Sequence, residues 1–161
     1  MNKCIRGNNG IGYVSRTMSA NLRKVSQGGK WGIYNDTSNT MCIPMEYDCI
    51  WATNFPNLWI VLKNGCRGIY NSDTSNIMLS IKFLNIFWPG DFRSTRNKKS
   101  HIFEVMFFGG GACFGFDVKK CMWVYPPGVI KYCRENQKDM LPWAYLYSGK
   151  PEMSLRYIKA S

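Results

Sequence analysis

Histidine is nearly missing from this chain: His101 is the only one in 161 residues. Acids are scarce too, ten against 21 lysines and arginines. Both shortages bear on chemistry. A cysteine–histidine nucleophile pair would have to use His101, which closes a basic stretch between Ser100 and Ile102. A carboxylate pair needs two acids converging on one cleft, yet Asp36, Asp73 and Asp91 fall in polar turns. Cys-x-x-Cys is absent, and the Cys42/Cys49 and Cys113/Cys121 spacings are too wide for zinc knuckles. The glycine run Gly109-Gly110-Gly111 leads into Cys113-Phe114-Gly115-Phe116, which reads as strand and not as the helix of a phosphate loop. No enzyme, metal, cofactor or small-molecule substrate is expected.

Long apolar runs are also lacking. No window reaches the ~18 apolar residues of a spanning helix, and the opening MNKCIRGNNGIGYV is broken by Gly7 and Gly10 before an apolar leader core can form. The seven cysteines are odd in number and follow no framework spacing, which predicts reduced thiols and a cytoplasmic location. No membrane association is expected.

What the chain does have is apolar mass and repetition. Hydrophobic residues make up 45 % and aromatics 15 %, enough for one folded domain over 1–161. Gly32-Ile33-Tyr34-Asn35 returns as Gly68-Ile69-Tyr70-Asn71, 36 residues on. An Asp-Thr-Ser-Asn string follows each, one residue later in the second copy, so Asp36 aligns with Asp73 as though a residue were inserted. Cys113-Phe114-Gly115-Phe116-Asp117 is a weaker copy, with Gly115 47 residues after Gly68. Gly10-Ile11-Gly12-Tyr13-Val14 resembles the signature upstream, too close to Gly32 for a full unit. The predicted organisation is a truncated repeat at about 5–26, a repeat over 27–62, a repeat over 63–108 with an insertion at 89–101, a degenerate repeat over 109–145, and a closing segment 146–161.

Turn chemistry makes these units β. Asn64-Gly65 sits between Trp59–Lys63 and Cys66–Tyr70, the strongest short hairpin signal. Gly28-Gly29 plays the same part before Lys30. Turn signals every eight to twelve residues predict an antiparallel meander in a curved or barrel-like sheet. Trp31, Gly32, Tyr34, Gly68, Tyr70 and Gly115 are read as structural. A strand glycine among bulky neighbours marks a bulge or a close approach, and an aromatic ring from the adjoining repeat lying over Gly32 or Gly68 is expected. Val129, Ile130 and Cys133 fit one face of a short C-terminal helix, while repeat alignment puts the same segment in a strand; both readings stay open.

The string GKWGIYN…IPMEYDCIW resembles the bacterial WG (KWG) repeat family, whose units carry a Gly-Lys-Trp-Gly-Tyr/Ile-Ile/Tyr-Asp core and a following Val-Ile-Pro-Pro-Lys/Glu-Tyr-Asp segment. Gly29 to Asn35 and Ile43 to Asp48 match it. The second copy has Arg67 for the tryptophan and lacks the proline; the third has Phe114 and keeps Pro126-Pro127. The resemblance implies repeated β-units and an interaction role, and it carries no catalytic residues.

The net charge of +11 favours an anionic partner. Arg93, Arg96, Lys98 and Lys99 place four cations in seven residues, in the insertion that lengthens the third step by 11 residues. Trp88, Phe92 and His101 flank them, and Lys119 and Lys120 are candidates for the same face. Insertions on a repeat scaffold commonly form the binding face. The expected function is therefore a non-catalytic module that binds an acidic protein or a protein–nucleic-acid complex. The alternatives are direct sequence-nonspecific nucleic-acid binding, or a small virus- or plasmid-encoded inhibitor of a host nucleic-acid-handling enzyme.

Overall fold

A computed structural model of the chain describes residues 12–16, 21–108, 113–124 and 135. The described part is all-β: twelve strands in three four-stranded antiparallel sheets. The first sheet holds β1 (Gly12–Arg16), β2 (Leu22–Gln27), β3 (Lys30–Asn35) and β4 (Thr40–Tyr47) in chain order. The second holds β5 (Cys49–Ala52), β6 (Leu58–Lys63), β7 (Cys66–Asn71) and β8 (Asn76–Phe83), and the third β9 (Asn85–Phe87), β10 (Ile102–Met106), β11 (Cys113–Asp117) and β12 (Met122–Val124). The meander is as expected, but it forms three separate sheets and no closed barrel. The chain divides into two compact units, 1–82 and 83–161. The segment around Val129–Cys133, the glycines at 109–111 and the expected closing strands lie outside the described residues.

The signature strand is the third of each sheet, so the structural repeat begins two strands before it. Gly12–Arg16 accordingly occupies the place of Cys49–Ala52 and Asn85–Phe87, not that of a signature strand. The first sheet has all four strands, where the spacing of Gly10 to Val14 predicts a truncated repeat.

The turn after each signature strand is set by its last residue. Asn35 Oδ1 accepts the N–H groups of Thr37 and Ser38 at 2.8 and 3.2 Å. Asn71 Oδ1 accepts those of Asp73 and Thr74 at 3.0 and 3.4 Å, and Asp117 Oδ1 those of Lys119 and Lys120 at 2.9 and 3.0 Å. An Asx side chain replaces backbone acceptors in such a turn. Four residues beyond it the chain turns left-handed each time, at Asn39, Ser75 and Cys121, with φ of 52, 53 and 54°. Asn35 and Asn71 are therefore equivalent, the offset stays at 36, and the apparent insertion before Asp73 disappears.

Strand pairing corrects the third copy by one residue. Val25 faces Gly32, Val61 faces Gly68, and Val105 faces Phe114. Phe114, not Gly115, thus holds the signature-glycine position. At Gly32 an added Cβ would lie 2.5 Å from the Ile43 carbonyl oxygen, and at Gly68 2.6 Å from that of Leu79. The β3–β4 register shifts around Gly32, so the predicted bulge is there. What crowds the glycine is the backbone of the next strand, not an aromatic ring from another repeat.

In the first unit the core is built from Leu22, Trp31, Ile33, Ile43, Tyr47, Ile50, Trp59, Val61 and Tyr70, all buried. Trp31 and Tyr70 are core residues, while Tyr34 is half-buried and carries the Arg23 guanidinium 5.0 Å from its ring centre. Leu58 to Val61 are buried without alternation, as in a strand covered on both faces. The second unit has an aromatic core: Phe83, Phe107, Phe114, Phe116 and Trp123 meet with ring centres 5.0–5.6 Å apart, mostly edge to face. Cys42, Cys66, Cys113 and Cys121 are free thiols. Cys49 is disulfide-bonded, which corrects the expectation of reduced cysteines at that position. Among the described residues no helix is long and apolar enough to cross a membrane.

Candidate functional site

The basic insertion joins β9 to β10, and residues 118–121 join β11 to β12. In an antiparallel meander these two connections emerge at the same end of the sheet. The Val118 N–H donates to the His101 carbonyl at 3.0 Å, and His101 Nε2 lies 3.3 Å from Asp117 Oδ2. Lys119 and Lys120 are thereby brought to the end that carries Arg93, Arg96, Lys98 and Lys99, a placement the sequence left open. Six cations stand there against Asp91, Glu104 and Asp117.

Pairing shows how the insertion is divided. Trp51 faces Ile60, and the corresponding Phe87 faces Glu104. The first members are 36 apart and the second 44, so eight added residues lie between β9 and β10. The remaining two lie in the β10–β11 hairpin, where Val105 faces Phe114 across nine positions while Val61 faces Gly68 across seven. The expected excess of 11 in a single loop came from aligning Gly115 with Gly68.

The added loop is closed by its own hydrogen bonds. Gly90 N–H donates to the Arg96 carbonyl at 2.9 Å, Ser94 N–H to that of Asp91 at 2.9 Å, and Ser100 N–H to that of Asn97 at 3.0 Å. Lys98 packs against Gly90, where a Cβ would meet its Cγ at 2.6 Å. Lys99 is exposed, and its N–H donates to Asn97 Oδ1 at 3.0 Å.

Arg93 is the most constrained cation. Its Nε donates to Asp91 Oδ1 at 2.9 Å and its Nη2 to Asp91 Oδ2 at 3.3 Å, the two-pronged geometry that suits a guanidinium. Three rings surround it, with centres 5.0 Å (Phe87), 5.3 Å (Phe92) and 6.0 Å (Trp88) away. Burial of the Asp91 carboxyl works against its ionisation, but the Arg93 hydrogen bonds and charge outweigh it and hold the group below the usual carboxylate range. Arg96 Nε lies 3.9 Å from Glu104 Oε1, which also accepts the Thr95 N–H at 3.2 Å and the Thr95 hydroxyl. Trp88 is half-buried, whereas the Phe92 ring is 75 % exposed.

All nine predicted binding residues therefore fall at one end of one sheet. The acids that shape that end were not predicted. Asp91 had a signal, two residues before Arg93 in an Asx-turn position. Glu104 had none, because it occupies a strand position that holds Ile60 in the second sheet. Among the described residues no three His, Cys, Asp or Glu side chains gather as a metal site would require.

The Asx turn at that end carries an acid in each of the other sheets, and the acid of the first sheet, Asp36, is paired with Arg23. The turn residues are Asp36-Thr37-Ser38 in the first sheet and Ser72-Asp73-Thr74 in the second, against Val118-Lys119-Lys120 in the third. The chain matches no protein-family model, no curated protein and no solved structure.

Proposed function

We propose that this protein is a non-catalytic interaction module of WG-type β-units that holds an acidic macromolecular partner, a protein or a protein–nucleic-acid complex, at the cationic end of its third sheet. One observation carries this reading: the charge reversal is confined to the sheet that also has the inserted loop. A fold needing only solubility would spread its positive charge, whereas here six cations meet on two adjoining connections. Arg93, held by Asp91, and Arg96, beside Glu104, keep little side-chain freedom to lose on binding. Arg and Lys contacts of this kind supply affinity for an anion without reading sequence.

The test is recovery of partners from host extract by wild type and by the fourfold variant Arg93→Ala, Arg96→Ala, Lys98→Ala, Lys99→Ala, with nuclease treatment in parallel. Loss of partners in the variant is expected. An unchanged partner set would remove the loop from the binding surface. A second reading, direct contact with nucleic acid, is favoured by one observation: the exposed phenylalanine beside the clamped arginine.

A further inference from the structure

We infer that the cationic end takes single-stranded nucleic acid, with the Phe92 ring as the surface on which an unpaired base stacks; the inference rests on the loop being the binding site. Large apolar side chains exposed among the described residues are few: Ile77, Phe92 and Phe108. Both phenylalanines lie in the connections that distinguish the third sheet from the other two. Phe92 stands among the cations, while Phe108 lies on the hairpin at the opposite end of β10.

An acidic protein surface offers carboxylates to the lysines and arginines, but to use the open ring among them it would also need an apolar pocket set within its acids. A duplex offers only its backbone, because its bases are stacked on one another. A single strand offers both groups at once, a flat face for the ring and a phosphate for the cations. Stacking on an aromatic ring is tolerant of base identity because every base has a π-face. The Arg93 guanidinium already lies 5.3 Å from the Phe92 ring centre and is fixed by Asp91, so the ring and the charge beside it are pre-set. Lys119 and Lys120 extend the positive surface across the neighbouring turn, giving a strand that leaves Phe92 further phosphate contacts.

The experiment is fluorescence anisotropy on the full chain at low salt. The probes are a labelled oligothymidylate, a duplex of the same length, a heparin oligosaccharide that has charge but no bases, and polyglutamate. The oligothymidylate should bind more tightly than the duplex. Phe92→Ala should weaken it by about tenfold and leave heparin unchanged. Phe108→Ala should change neither, and the fourfold loop variant should lose both. If the duplex or polyglutamate binds at least as tightly as the oligothymidylate, or if Phe92→Ala leaves the oligothymidylate unaffected, the base-stacking inference is overturned while the loop remains a binding site. If the fourfold variant binds every probe like wild type, the loop reading itself fails. Phe92 is exposed, so its variant should keep the wild-type unfolding midpoint, which is measured alongside.

Discussion

Val118 donates its backbone N–H to the carbonyl of His101, and the same bond joins Asp36 to Asn21 at 2.8 Å and Ser72 to Asn57 at 2.9 Å. In each sheet the bond ties the start of the Asx turn to the residue before the second strand. In the third sheet the same two segments also meet through side chains, with His101 Nε2 3.3 Å from Asp117 Oδ2. Asp117→Asn should keep the Oδ1 acceptor for Lys119 and Lys120 and stay within about 0.5 kcal/mol of wild type, whereas Asp117→Ala, which strands two N–H groups, should cost about 1–2 kcal/mol. Urea denaturation of the two variants checks this, and equal losses would mean that the turn does not depend on the acceptor.

The signature glycine makes a sharper prediction. Gly32→Ala and Gly68→Ala each drive a methyl group into the carbonyl of the neighbouring strand, which cannot yield as a flexible side chain would. Each should cost about 2–3 kcal/mol. Phe114→Gly, at the same position of the third sheet, acts in the opposite direction: it removes a buried ring and should cost about 3 kcal/mol or more. A stable Gly68→Ala would show that the close approach of the Leu79 carbonyl does not require glycine.

The repeat was legible because hairpin turns and the Gly-Ile-Tyr-Asn string are local signals, and they give the right strands in the right order. The unit boundary was not, because sequence similarity is strongest at the third strand while hydrogen bonding groups the two strands before it. The Asp-Thr-Ser-Asn string misled for a related reason. The backbone turn is fixed by Asn35 and Asn71, so the string slides by one residue along an unchanged turn. At the site, cations and rings could be read directly from the insertion. Their clustering with Lys119 and Lys120 depends on which connections share an end of the sheet, and Glu104 depends on a tertiary contact with no local trace.

Glu104 separates charge from shape at the binding end. Glu104→Gln removes one negative charge but leaves an oxygen for Thr95 to donate to. Polyanion affinity should rise about threefold, in line with ~0.5–1 kcal/mol for a partly exposed ion pair. Glu104→Ala makes the same charge change and removes the acceptor, so it should bind less tightly than Glu104→Gln. Anisotropy titrations with heparin compare the two, and equal affinities would mean that anchoring of Thr95 contributes nothing.

Lys24 gives the last prediction, a pH dependence of stability. It faces Ile33 within the first sheet, at a position that holds the buried Ile60 in the second. Its ammonium is buried, donates to the Ile50 carbonyl at 2.5 Å and lies 4.8 Å from the Trp31 ring centre. Burial lowers its pKa from 10.5 to about 8. Between these values the unfolded chain holds a proton that the folded chain has released, so stability must rise with pH across that window. Below about pH 8 both states are charged and the cost of burying the ammonium is present in full. The rise is at most about 3 kcal/mol. The opposite sign enters from about pH 9, because burial raises the pKa of the Cys42 and Cys113 thiols, and again above pH 10 with the Tyr47 and Tyr70 phenols, whose ionisation likewise favours the unfolded chain. Urea midpoints between pH 7.5 and about 8.8, below the unfolded thiol range, should therefore climb in wild type and not in Lys24→Met. The same slope in both proteins would show that Lys24 does not titrate with folding.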